Sequence, residues 1–206
     1  MRRALSSLLV LLCTSCGLLD DGYDDAARTE YLRFTDPAFE RYCLETLDLN
    51  DDGRISRYEA ERIVRMDCSG CGIASLDEIS DFRNLQRLDC SDNNLTRLDL
   101  SSCPRLVEVN CARNRISWLD VERLAILATL DCSGNLLSSL DLRGDTALST
   151  LVCGGNVLRT LDVSGCAAVM ERVDTQSSPE LETLYVSSTQ EIRQLQVDGH
   201  TDVVVL

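Results

Sequence analysis

Between Asp48 and Glu59 the chain reads D-L-N-D-D-G-R-I-S-R-Y-E. Asp48, Asn50 and Asp52 place side-chain oxygens at positions 1, 3 and 5 of this stretch. Arg54 offers its carbonyl at 7, Ser56 stands at 9 and Glu59 at 12. Gly53, at position 6, permits the sharp turn that such an arrangement needs. Alternating hard oxygens, closed by a carboxylate that can bind through both of its atoms, are the donor set calcium prefers. The competing account is a helix capping box from Ser56 to Glu59. That would explain two of these residues, but neither the alternation nor the glycine.

The stretch resembles an EF-hand loop, and helix-like sequence flanks it. Asp36-Pro37 is a cap followed by proline at the first helical position. Phe39, Tyr42, Cys43 and Leu47 then recur at helical spacing, and a second helix is expected to run to Val64. Ile55 is the apolar residue that in this motif pairs with a second loop, and no second loop is written in the sequence. A single loop with three carboxylates implies modest calcium affinity, on the order of 10⁻⁴ to 10⁻³ M. The other stretch with chemical potential is Cys68-x-x-Cys71, a redox or metal spacing. It has no second pair, and the only histidine is the distant His200.

Both cysteines have another explanation. From Leu85 to Ala168 a 21-residue phrase is written four times, led by Leu85, Leu106, Leu127 and Leu148, and Ile63 to Asn84 is a 22-residue variant of it. The form L-x-x-L-x-C-x-x-N-x-L marks leucine-rich repeats. Such coils bury their apolar side only by stacking, so the fold expected is an α/β solenoid, a right-handed superhelix behind an EF-hand-like helical cap. The sixth column is Cys68, Cys90, Cys111, Cys132 and Cys153. The ninth is Cys71, Asn93, Asn114, Asn135 and Asn156, a ladder of amides for backbone groups that water cannot reach. The cysteines therefore read as buried free thiols. The fifteenth column is Asp77, Asp99, Asp120, Asp141 and Asp162. Carboxylates about 5 Å apart repel by about 0.8 kcal/mol per pair even in water. Hydrogen bonds within the turns, or a line of calcium ions, would offset that.

The chain carries a formal charge of −14, with 20 arginines and no lysine. Nucleic acid and anionic lipid surfaces are thereby disfavoured as partners. Residues 1–15 read as a secretory signal: Met1-Arg-Arg, an apolar run from Ala4 to Leu12, then Cys13-Thr-Ser-Cys16. Nine apolar residues are too few to cross a bilayer as a helix. The segment resembles a bacterial lipoprotein signal, in which Cys16 would be acylated. Residues 16–35 read as an acidic tether, 36–62 as the helical cap, and 63–206 as the solenoid. A worn coil near Val169–Val173 and a closing strand at Val203–Leu206 are expected at its far end.

Signal, loop and coils in this order resemble Bacteroidetes leucine-rich-repeat lipoproteins, related in design to internalin-type repeats. The resemblance implies a calcium-bearing outer-membrane lipoprotein of the bacterial envelope, exposed at the surface. Its expected role is to bind a protein or glycan through the concave strands, with the membrane touched only through the anchor. Outward positions there include Arg87, Asp89 and Glu108. Arg113, Arg115 and Trp118 depart from the later coils at outward positions, and Trp and Arg are enriched in binding hot spots. Arg97 stacking on Trp118 is the structural alternative. A calcium-stabilised spacer is the second functional reading. Enzymatic activity finds no catalytic set in the sequence.

Overall fold

The computed structural model describes residues 30–206. The expected signal, the acylation site Cys16 and the tether up to residue 29 lie outside the described residues.

The chain is a leucine-rich-repeat solenoid. Its long sheet contains β1 (Arg65–Asp67), β2 (Arg87–Asp89), β4 (Glu108–Asn110), β6 (Thr129–Asp131), β7 (Thr150–Val152), β10 (Arg172–Asp174) and β13 (Leu195–Gln196), side by side in that order. Every pair in it is parallel, each strand being one coil further along. The other side of the coils is less continuous. There β3 (Arg97–Asp99) pairs with β5 (Trp118–Asp120), while β8 (Thr160–Asp162), β11 (Thr183–Val186) and β14 (Asp202–Val205) form a separate sheet. A short pair, β9 (Val169–Met170) and β12 (Glu191–Ile192), completes the strands.

Three-residue strands have one inward side chain each, and this is where the period matters. Met66, Leu88, Val109, Leu130, Leu151 and Val173 stack in one column, and all are buried. Cys68, Cys90, Cys111, Cys132 and Cys153 form the next buried column, which ends at Thr175. Helix α1 (Pro37–Thr46) covers the first coil with Phe39 and Cys43, and Phe82 stacks within 6.1 Å of Phe39. Its cap Asp36 accepts from the N–H groups of Ala38 and Phe39 through Oδ1, and from those of Ala74 and Ser75 through Oδ2. Burial opposes the charge on this carboxyl, but four donors outweigh it and hold the group below its ordinary range.

Three expectations are corrected. The second helix, α2, is one turn, Arg57–Ala60, and does not reach Val64, because Ile63 and Arg65 already belong to the first coil. Residues 30–35 are not tether: Tyr31 bridges to Ser56, and the Leu32 N–H donates to the Ile55 carbonyl at 2.8 Å. That pairing takes the place of the missing second loop. At the far end Val169–Val173 is a regular coil, displaced by one residue, with Arg172 opposite Thr150. The expected closing strand forms as β14, but it joins β11 in parallel and so lengthens the stack, leaving Val203 and Val205 exposed.

The fourth coil, led by Leu127, holds an unusual buried acid. Asp145 is fully buried; its Oδ1 accepts from the Leu124 N–H at 2.8 Å, while Oδ2 has no partner. Burial, only partly offset by that one bond, lifts its carboxyl from 3.8 to about 7, with Asp141, Asp120 and Glu122 adding to the rise. Folding therefore favours the protonated form. The associated stability is fully present below pH 3.8 and is lost as pH rises through 7, by at most about 4 kcal/mol. Chemical denaturation at intervals from pH 5 to 8 should show stability falling across this window, and Asp145→Asn should flatten the fall. A parallel slope in both proteins would contradict the assignment.

Candidate functional site

The stretch from Asp48 to Glu59 turns sharply between α1 and α2. Gly53 adopts a left-handed φ of 76°, and its N–H donates to Asp48 Oδ2 at 2.9 Å. Asn50 Oδ1 accepts from the Asp52 N–H, and Asp52 Oδ1 from the Arg54 N–H. The capping box is present as well: Ser56 Oγ accepts from the Glu59 N–H, and Glu59 Oε2 accepts from the Ser56 N–H and hydroxyl, each at 2.8 Å. Glu59 Oε1 takes the Leu49 N–H at 2.9 Å. Among the described residues no group of three or more His, Cys, Asp or Glu side chains is close enough to hold a metal ion. The donor set nevertheless fits a calcium ion, because it is all oxygen and Asp48 Oδ1 is buried without any partner. Tyr31 closes the loop's flank, its hydroxyl donating to Asp52 Oδ2 at 3.2 Å under the Arg54 guanidinium.

The six residues singled out for partner binding do not form one surface. Arg87, Asp89 and Glu108 lie on β2 and β4 of the long sheet, where Arg87 meets Glu108 at 3.2 Å and Asn110 donates to Asp89 at 2.9 Å. Arg113 sits on the turn after β4, where its guanidinium holds both oxygens of Asp92. Its φ of 54° explains the variation there: the same column contains Gly70, Gly134 and Gly155, because the turn needs a left-handed residue. Arg115 is exposed beyond it. Trp118 belongs to β5 in the other sheet, 45% exposed, with the Arg97 guanidinium 5.2 Å from its ring centre. The structural contact weighed for this tryptophan is therefore present.

The helical cap forms a wall that the sequence pattern alone does not announce. A groove of about 900 Å³ lies over the first four strands of the long sheet, with Tyr42, Thr46 and Leu47 along one side. Arg65, Asp67, Arg87, Asp89, Glu108 and Thr129 line its floor. The signal was available in Tyr42, whose hydroxyl accepts from the Asp67 N–H at 3.2 Å.

The fifteenth-column aspartates are accounted for locally. Asp99, Asp120, Asp141 and Asp162 each accept the N–H two residues on. Asp77 departs, opening a short 3₁₀ helix, Asp77–Asp81.

The family model described as leucine-rich repeats, two copies, matches residues 83–122. Among solved structures the chain is similar to the functional domain of InlJ from Listeria monocytogenes, described as including a cysteine ladder. It is 26% identical, over 80% of this chain and 38% of that one, with a TM-score of 0.61. The present chain thus spans well under half of that domain. Internalin InlF of the same organism matches at 16% identity, over 82% of this chain and 71% of that one, with a TM-score of 0.47. No curated protein matches the chain.

All nine described cysteines are free. Burial pushes the thiols of Cys68, Cys111 and Cys153 up to about 12, and those of Cys90 and Cys132 well up. Such thiols stay protonated and unreactive at neutral pH. A thiol reagent on the native protein should label the half-exposed Cys71 first, and the other eight only on unfolding. Rapid labelling of the stacked column, or disulfides among the nine, would refute this.

Proposed function

We propose that the protein is a recognition module that docks a protein partner on the outer face of its long sheet. The observation that carries this reading is the groove of about 900 Å³ between the helical cap and the first four strands. Its exposed lining is more apolar than polar, with the charged groups of Arg65, Asp67, Arg87, Asp89 and Glu108 set among it, the mixture a docking surface needs, on a backbone fixed by the stacked coils. No helix among the described residues is long and apolar enough to cross a membrane. We hold the acylation of Cys16 and attachment to the bacterial outer membrane as part of the same proposal. They rest on the amino-terminal sequence alone. Thr129→Arg, on the fourth strand beneath the groove, should abolish capture of partners from intact cells while leaving the melting temperature unchanged. Equal capture by the variant would move the site elsewhere.

The second element of the proposal is a structural calcium ion held by Asp48, Asn50, Asp52, the Arg54 carbonyl, Ser56 and Glu59. The buried, unpartnered Asp48 Oδ1 supports it. When bound, the ion supplies positive charge that offsets the mutual repulsion of the loop's carboxylates. The loop leads through α2 directly into Ile63 of the first coil, so ordering it steadies the end of the core. Binding restricted to the folded state adds about 2.7 kcal/mol at a hundredfold excess over Kd. Melting in millimolar calcium should exceed melting in chelator, and Glu59→Gln should erase the difference. An unchanged wild-type curve would rule out the ion.

A further inference from the structure

The register of β1 against β2 sets Arg65 opposite Arg87 and Asp67 opposite Asp89. Neighbouring strands stand about 4.8 Å apart, so each is a like-charge pair that weakens the sheet where it forms. One strand further on, the conflict is resolved internally. Glu108 answers Arg87 at 3.2 Å, and Asn110 donates to the second oxygen of Asp89. Among the described residues Arg65 has neither an ion pair nor a side-chain hydrogen bond. Asp67 uses only Oδ1, for the N–H and hydroxyl of Ser69. Both side chains are exposed, and both line the capped end of the groove beside Val64, itself 44% exposed.

The first two coils together thus present two positive side chains, Arg65 and Arg87, on one side of the groove and two negative ones, Asp67 and Asp89, on the other. Positions i and i+2 of a strand are about 7 Å apart. A simple cation or anion would relieve one pair and leave the other. A neutral glycan would relieve neither, and the wall's one aromatic, Tyr42, is half-buried with its hydroxyl already engaged. Nucleic acid or an anionic lipid surface would meet the carboxylates of a chain at −14.

We propose that the capped end of the groove takes an extended polypeptide segment bearing one acidic and one basic side chain about 7 Å apart. The acid faces Arg65 and Arg87, and the base faces Asp67 and Asp89. This rests on the docking reading of the same face and names the chemistry of its partner.

The test is selection of random displayed peptides on the full chain, followed by binding of the enriched sequences as synthetic peptides. Enriched sequences should carry Asp or Glu and Arg or Lys two residues apart. Their affinity should fall about tenfold or more in Arg65→Gln and in Asp67→Asn, as loss of one desolvated charge pair gives. Both variants should melt no lower than wild type, since each removes a like-charge pair and asparagine keeps the acceptor for Ser69. That combination, weaker binding without weaker folding, is not expected of a merely structural role. Peptides that lose binding in Thr129→Arg but ignore both charge variants would overturn this inference and leave the docking face standing. Peptides indifferent to all three variants, or a selection that enriches nothing, would overturn both.

Discussion

Every feature of this solenoid depends on the asparagine rung. In each regular coil one amide, buried or nearly so, joins two turns of backbone. Asn135, for example, accepts the Ile116 N–H and donates to the carbonyls of Cys111 and Cys132, at 2.9 to 3.0 Å. Asn93, Asn114 and Asn156 repeat the pattern at their own levels. Few side chains carry both an acceptor and two donors in a short, rigid group, which is why this place cannot be filled by an apolar residue. Removing one amide would strand several buried backbone groups at about 1 to 3 kcal/mol each. The rung also fixes the spacing of everything else. With one coil locked to the next in register, leucine stacks on leucine and cysteine on cysteine, and the outward columns become a fixed grid.

The amino-terminal cap is joined to this grid at Asp36. One carboxylate starts α1 and simultaneously holds the backbone of Ala74 and Ser75 in the first coil. Tyr31 and Leu32 pair with Ser56 and Ile55 on the other flank. The acidic loop is therefore held on one flank by the Tyr31–Leu32 segment and, through α1, by the attachment of Asp36 to the body, instead of hanging from a hinge. A loop held in this way has little conformational entropy left to lose on binding an ion, and whatever it binds acts on the end of the core.

The repeat was legible in the sequence because its period is unbroken over four copies, and periodic demand is what stacked coils impose. The cysteine and asparagine columns followed from it directly. The limits lie where local and tertiary demands compete. Glu59 to Val64 carries helical sequence, but Arg65–Asp67 must be extended to meet β2, so α2 stops after one turn. Tyr31 and Leu32 belong to no repeat, and only the loop they pair with gives them a conformation. Arg113 and Trp118 looked alike as departures from their columns, yet one answers a left-handed turn and the other receives Arg97. A column records which residues share a height, not which side chains satisfy one another.

That distinction bears on where recognition can reside. Inward positions of this grid are constrained by volume and the rung by hydrogen bonding, so change there is costly. Outward positions of the long sheet tolerate change at little cost to folding. Their identities run Arg65, Arg87, Glu108, Thr129 and Thr150 along one column, and Asp67, Asp89, Asn110, Asp131 and Val152 along the next. From the second strand onward, neighbours of opposite or neutral character settle the charges within the sheet. A fold free to place a threonine or a glutamate at position 65 has instead kept arginine against arginine, with aspartate against aspartate two residues away. Folding alone gives no reason for that choice, and a complementary partner in the groove supplies one.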